Sequence, residues 1–195
     1  MAIRAERQRG KEADDVLRYW RSVADLPFDR QSALRGLEAS FARGSLPQGL
    51  DGPYRGRLLA TTFGYGLDPV MAGLTRAWMP WKGKTLNHAE STGRNIFMNG
   101  SKRLMRIVWP GYHDVAPESE GRYTTFQFVT HTGPSKLMPE VEVFRIDYDT
   151  PDDPAFIIRR ILDELVQIGD GLYLGQALLR IRGEWKRAAW FSLEA

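Results

Sequence analysis

Apolar residues recur along this chain with two different spacings, and the change of spacing separates a helical beginning from a strand-rich remainder. In residues 12–24 they fall three and four positions apart, as in an amphipathic helix. The same spacing follows between Asp29, a suitable helix cap, and Gly44, a suitable helix end. The sequence therefore predicts two N-terminal helices ahead of a β-rich domain.

Short extended segments, separated by glycine and proline, make up most of the remaining chain. The pattern predicts about eight strands, and Asn99-Gly100 is a strong signal for a hairpin between two of them. Two further helices are predicted near residues 69–79 and 154–168, each introduced by an Asp-Pro pair. The predicted strands are residues 54–63, 82–89, 94–98, 104–109, 122–131, 141–148, 172–181 and 185–193.

Two similar pentapeptides lie near the beginning and the end of this domain. Gly52-Pro53-Tyr54-Arg55-Gly56 and Gly171-Leu172-Tyr173-Leu174-Gly175 each place a glycine two residues either side of a tyrosine. Glycines at this spacing suit a sharply bent strand, where backbone or ligand comes close. We therefore expect a curved sheet whose first and last strands meet. Such a sheet forms a small barrel, and its interior is either packed or a pocket for one ligand.

The predicted fold class is mainly β with flanking helices. Residues 1–45 are expected to form a helical extension that contains the two N-terminal helices. Residues 46–195 are expected to form an antiparallel β-barrel of about eight strands, with the two later helices inserted into it. The chain length suits this count of one domain with an appendage.

Three local patterns accompany this order of elements: Trp81-Lys82-Gly83-Lys84, the second glycine-tyrosine pentapeptide, and Trp190-Phe191-Ser192-Leu193. With them, residues 46–195 resemble the calycin group, the lipocalins and fatty-acid-binding-type barrels. The resemblance implies a calycin-like barrel that holds a small, largely apolar molecule. Tyr54 stands where the tryptophan of the usual lipocalin opening, Gly-x-Trp, is expected, and the cysteines of many secreted lipocalins are absent.

Composition narrows the classes of partner. The 195 residues include no cysteine, which excludes disulfides, thiolate metal sites and cysteine nucleophiles. The net charge is only +3 and the basic residues are scattered, so we expect no nucleic-acid partner. No run of about 18 apolar residues is present, and no apolar segment follows the basic first residues. The sequence therefore predicts a cytoplasmic protein without a membrane span.

A group of polar and aromatic residues around the second predicted strand is a candidate binding site. Trp81 would be a stacking wall, Lys84 an anchor for an anion and Asn95 a hydrogen-bond donor, since pockets combine apolar walls with few polar anchors. The alternative is that Trp81 is a core residue and Lys84 is solvated. The predicted ligand-binding residues are Tyr54, Trp81, Lys84, Asn95, Phe97, Tyr123, Phe126, His131, Tyr148 and Tyr173.

The three histidines lie on separate segments and give no specific metal pattern. His88, His113 and His131 have neither the i, i+4 spacing nor the His-Glu motif of a helical metal site, so no metal and no cofactor is predicted. Haem is kept as an alternative, because a neutral imidazole is a common axial ligand. His131 is either at the barrel mouth or in a loop.

No catalytic motif is present in the sequence. Asp147, Tyr148 and Asp149 would form an acid and base cluster if buried, and otherwise belong to a turn. Asp163-Glu164, on the predicted late helix, would bind a cation or form surface ion pairs. The leading hypothesis is a protein that binds a small hydrophobic molecule. The alternatives are an enzyme with acid and base chemistry on a small carbonyl or ring substrate, or a homodimer formed through the N-terminal helices.

Overall fold

The computed structural model of the protein describes residues 15, 30–62, 81–119, 121–155 and 157–195. Two predicted helices fall outside this part of the chain. They are the helix at residues 69–79 and, apart from Asp15, the helix at residues 12–24.

Strands dominate the described part of the chain. This part also contains two α-helices, α1 (Arg30–Ala42) and α2 (Lys102–Val108). Short 3₁₀ turns cover Asn99–Ser101 and Ile158–Arg160. The strands are β1 (Gly52–Thr61), β2 (Trp81–Asn87), β3 (Thr92–Met98), β4 (Val115–Pro117), β5 (Arg122–Pro134), β6 (Glu142–Asp147), β7 (Ile161–Gly169), β8 (Leu172–Ile181) and β9 (Glu184–Glu194).

Eight of these strands form a closed antiparallel barrel. Each barrel strand pairs with the next one in the chain, except that β3 pairs directly with β5 and leaves β4 as an extra strand beside β5. The ring closes because β1 pairs with β9, for example Gly56 opposite Leu193. The predicted meeting of the first and last strands is thus confirmed. Closure removes the free edges of the sheet, and the architecture is consistent with a calycin-like fold.

The predicted fold class is wrong about the helices. Among the described residues there is one N-terminal helix, α1, instead of two. Residues 104–109, predicted as a strand, lie almost entirely in α2, in which Met105 is buried and Ile107 is 77% exposed. Asn99-Gly100 therefore begins a helical turn rather than a hairpin, because β3 takes β5 as its partner.

The predicted late helix at residues 154–168 is also wrong, because most of it is strand β7. Residues 161–166 are all buried, so both faces of this strand carry apolar side chains. Two interleaved apolar faces imitate the spacing of a helix. Asp170-Gly171 then makes a two-residue turn into β8, which fits a hairpin.

Helix α1 packs on the outside of the barrel. Its apolar face is fully buried against strands that include β7 and β8, and the ring of Phe41 meets that of Trp190 at 5.5 Å, edge to face. Arg187 of β9 pairs with Glu38 of the helix at 3.2 Å. The apolar face of α1 is thus occupied by the barrel of the same chain. None of the helices in the described residues is long and apolar enough to cross a membrane.

Candidate functional site

A cavity of about 50 Å³ lies inside the barrel, toward the end where β2 begins and β3 ends. The opposite end is filled by core side chains, including Tyr54 and Tyr173, whose rings meet edge to face at 5.6 Å. Twelve residues line the cavity: Leu58, Trp81, Lys84, Asn95, Phe97, Phe126, Tyr148, Ile158, Ile161, Asp163, Ala177 and Phe191. The described part of the barrel is therefore mostly packed, with a small space at this end.

Two glycines of the repeated pentapeptides leave room for the aromatic side chains that line this cavity. A Cβ on Gly56 would overlap the ring of Trp81, and a Cβ on Gly175 would overlap the ring of Phe191. The two rings meet each other edge to face, with centroids 5.5 Å apart. Backbone or ligand was expected to come close at the glycines of the pentapeptides; at Gly56 and Gly175 aromatic rings do so instead, and a Cβ on Gly52 would meet no atom within 4 Å.

A backbone bulge turns both Trp81 and Lys84 toward the cavity. Side chains three positions apart on a regular strand point to opposite faces. Here the register between β2 and β3 shifts between Trp81 and Gly83, and Gly83 has a φ of 142°. Because of the extra residue, the side chains of Trp81 and Lys84 point to the same face of the sheet, and redirecting side chains in this way is the usual effect of a β-bulge.

The ammonium of Lys84 is the centre of a buried polar network. Lys84 is 2% exposed, and its Nζ lies 2.8 Å from Asp163 Oδ2 and 2.9 Å from Asn95 Oδ1, with a third hydrogen bond to the Tyr148 hydroxyl. Four aromatic rings surround it at 5.1–5.6 Å. Burial lowers the pKa of Lys84, and the nearby Asp163 opposes this shift. The anionic partner of Lys84 is thus a residue of the protein itself.

Asn95 and Tyr148 complete the network. Asn95 accepts a hydrogen bond from Trp81 Nε1 at 3.1 Å and donates to the Tyr148 hydroxyl at 2.9 Å. The Tyr148 hydroxyl lies 3.2 Å from Asp163 Oδ2, and burial together with this carboxylate raises its pKa well above the usual value. Tyr148 therefore stays protonated and can donate to either neighbouring acceptor.

Asp163 has one carboxylate oxygen without a partner. Its Oδ2 is engaged by Lys84 and Tyr148, whereas its Oδ1 is buried and accepts no hydrogen bond from any described residue. Asp163 lines the cavity and is 4% exposed. A buried polar atom left unsatisfied costs about 1–3 kcal/mol, and more when charged. Asp163 thus carries an unpaired buried acceptor, and the residue itself lines the cavity.

Phe126 forms the wall of the cavity that lies in front of Tyr112. It lies where β5 changes its neighbour from β6 to β4, and its φ of 51° is rare for a non-glycine residue. Its backbone N–H donates to the Tyr112 hydroxyl at 3.0 Å, and the two rings stack at 5.1 Å. Tyr112 is only half-buried, so the outer side of this wall is close to solvent.

Tyr112 also ties the turn after β6 to the segment between α2 and β4. Its hydroxyl donates to Asp153 Oδ1 at 3.1 Å, and Thr150 donates to the other oxygen at 3.1 Å. Burial raises the pKa of Asp153 to about 7, although hydrogen bonds from Tyr112 and Thr150 oppose the shift. Asp153 was expected to cap a helix, and it instead holds this turn.

The stability of the protein should depend on pH through Asp153. Between pH 4 and 7 the folded protein holds this proton and the unfolded chain does not, so the free energy of unfolding should fall as pH rises through this window. Asp153→Asn keeps the hydrogen-bond acceptor and removes the titration. Melting temperatures measured from pH 4 to 8 should fall more steeply for the wild type than for this variant. Parallel curves would contradict the assignment.

The other predicted ligand-binding residues lie away from the cavity. Tyr54 and Tyr173 belong to the core at the far end of the barrel, and His131 is exposed. The hydroxyl of Tyr123 is hydrogen-bonded to the Ser101 hydroxyl at 2.7 Å, beside a groove on the outside of the barrel. His88 and His113 are exposed as well. The lining residues that come from the predicted set are Trp81, Lys84, Asn95, Phe97, Phe126 and Tyr148.

Sequence reasoning missed the carboxylate of the site. Asp163 was assigned with Glu164 to a helix surface, but on strand β7 the two side chains point to opposite faces. Glu164 lies outside the barrel wall, fully buried, where Ser135 and Gln176 donate to it at 2.6 and 2.8 Å. The Asp170-Gly171 hairpin signal would have favoured the strand.

Comparison with protein-family models, with curated proteins and with solved structures finds no match to this chain. The likeness to calycins therefore concerns the barrel architecture described above. Any function has to be argued from the cavity and its side chains.

Proposed function

We propose that the barrel binds a small, largely apolar molecule that carries one hydrogen-bond donor. The observation that supports this function is that Asp163, a residue lining an aromatic cavity, has a buried Oδ1 with no hydrogen-bond partner among the described residues. Because Lys84 and Asp163 balance each other in charge, a neutral ligand such as an alcohol or a phenol suits the site better than an ion. Aromatic and aliphatic walls with few polar groups are typical of ligand pockets.

The size of the cavity limits the ligand. Its volume of about 50 Å³ is roughly a third of that of an engineered cavity that binds benzene. The space as it stands holds a few water-sized groups, and a single ring requires one wall to move. Phe126 is one such wall, and half-buried Tyr112 lies behind it. A long-chain fatty acid does not fit.

Phenol and toluene form a matched pair for testing this function. They have nearly the same shape, but only phenol can donate to Asp163 Oδ1. A hydrogen bond to a charged group contributes about 1.5–3 kcal/mol, so phenol should bind the wild type at least about tenfold more tightly than toluene. An apolar cavity would show the opposite order, because toluene is the more hydrophobic molecule. Isothermal titration calorimetry measures both affinities.

The double variant Lys84→Met/Asp163→Leu is the control for the anchor. It removes both charges from the cavity and keeps its apolar character, so toluene should become the preferred ligand. Tighter binding of toluene than of phenol to the wild type, or no binding of either compound, would overturn the proposal. The same would follow if phenol bound the wild type and the double variant equally well.

Acid and base chemistry on a small carbonyl compound is a second candidate function. It is favoured by Lys84 and Tyr148, which are both buried and face the cavity. The lowered pKa of Lys84 makes its ammonium a better proton donor, while Tyr148 can donate a hydrogen bond to a carbonyl oxygen. Exchange of deuterium from heavy water into acetone, catalysed by the protein, would separate this function from simple binding.

A further inference from the structure

A groove of about 300 Å³ runs along the outside of the barrel, between α2 and β4. Its volume is at the lower end of the range for small-molecule sites. The floor contains Met105, Val115 and Tyr123, and the rim carries Lys102, Arg106 and His113. The groove thus combines an apolar floor with a rim of basic side chains.

The charges on the rim favour an anion. Lys102 and Arg106 are one turn apart on α2, where like charges repel each other. Within the described residues neither side chain forms an ion pair, and the nearby Asp114 is engaged by Arg94 at 2.5 Å. Bringing an anion to the rim would relieve this repulsion, and a guanidinium binds a carboxylate through two parallel hydrogen bonds.

The floor of the groove is apolar and held in place. The ring of Tyr123 stacks on Phe97 at 5.9 Å, and its hydroxyl is bonded to Ser101. The ammonium of Lys102 lies 5.1 Å from the centre of the Tyr123 ring, so the charge already sits over the floor. Val115 is 42% exposed beside it. A flat apolar group can therefore rest against Val115 while its charged end meets the rim.

We propose that this groove binds a small amphiphilic carboxylate, with its ring or short chain against the exposed Val115 and its carboxylate between Lys102 and Arg106. The site is separate from the interior cavity, because Phe126 and Tyr112 stack between the two spaces. It does not depend on the function proposed for the cavity.

A titration with benzoate, followed by the backbone amide resonances of the full chain, tests this site. At low ionic strength benzoate should shift the resonances of α2 and β4 in a saturable way, and those of β7 beside the cavity much less. Lys102→Ala/Arg106→Ala should weaken binding at least about tenfold, because both charged contacts are lost. Arg103→Ala is the matched control, since Arg103 is an exposed cation on the same helix, outside the groove.

Three results would overturn the proposal: no saturable shifts, shifts centred on β7, or equal weakening by Arg103→Ala and the double variant. The last result would indicate attraction to diffuse surface charge. Arg103 and Arg106 are exposed and Lys102 is half-buried on this helix, so both variants should keep a melting temperature close to that of the wild type, which is checked beside each titration. Binding of phenol in the cavity is measured separately, and its failure would leave the benzoate result unaffected.

Discussion

Asp163→Asn should destabilise the protein by about 3–5 kcal/mol, because it removes the counter-ion of a buried charge. Lys84 is 2% exposed, and its ammonium would be left among aromatic rings with only neutral acceptors. Burial then favours the neutral amine, and the free energy needed to remove its proton lowers the free energy of unfolding. Urea denaturation at pH 7 measures the difference in free energy of unfolding from the wild type.

The double variant Lys84→Met/Asp163→Leu should be far more stable than the single variant. Replacing a buried ion pair by apolar residues of similar volume is often neutral or stabilising. The unpaired Asp163 Oδ1, which destabilises the unliganded protein, is removed as well. If the double variant were as unstable as Asp163→Asn, the network would be contributing to stability as a whole, and the idea of an anchor kept for a ligand would lose its support.

Gly83→Ala should cost about 3 kcal/mol or more and disturb the cavity. A Cβ at this position would lie 2.7 Å from the backbone nitrogen of Gly56 and closer still to the carbonyl oxygen of Tyr54. A backbone atom cannot move aside as a flexible side chain can, and the φ of 142° is strained for any residue with a side chain. The bulge that turns Trp81 and Lys84 inward would therefore be lost.

Gly100→Ala is the matched control for this substitution. A Cβ at Gly100 meets no atom within 4 Å, and its φ is not in the left-handed region. The free energy of unfolding of the Gly100→Ala variant should stay within about 0.5 kcal/mol of the wild-type value. Equal effects of the two alanine substitutions in urea denaturation would show that the close approach at Gly83 is not required for the barrel.

The sequence predicted the strands best where turns mark both ends. The final hairpin was recognised because Gly183 separates two apolar segments, and Leu172–Ile181 was predicted with its observed bounds. Strand β7 was missed because burial of both faces hid the alternation on which strand prediction rests. Helix α2 was missed because its short apolar run fits either kind of element.

The composition of the site was partly predictable, and its geometry was not. Trp81, Lys84 and Asn95 were grouped from their types, and the structure places them around one cavity. Asp163 comes from a segment almost 80 positions further along, and only the order of strands around the barrel brings it to Lys84. The bulge at Gly83 is a matter of register between strands, which a single sequence does not reveal.

The most direct test of the proposed anchor is a crystal structure of the protein with bound phenol. We expect the ring among Trp81, Phe126 and Phe191, with the phenol oxygen within about 3.2 Å of Asp163 Oδ1. Phenol bound only outside the barrel, or bound in the cavity with its hydroxyl turned away from Asp163, would contradict the account.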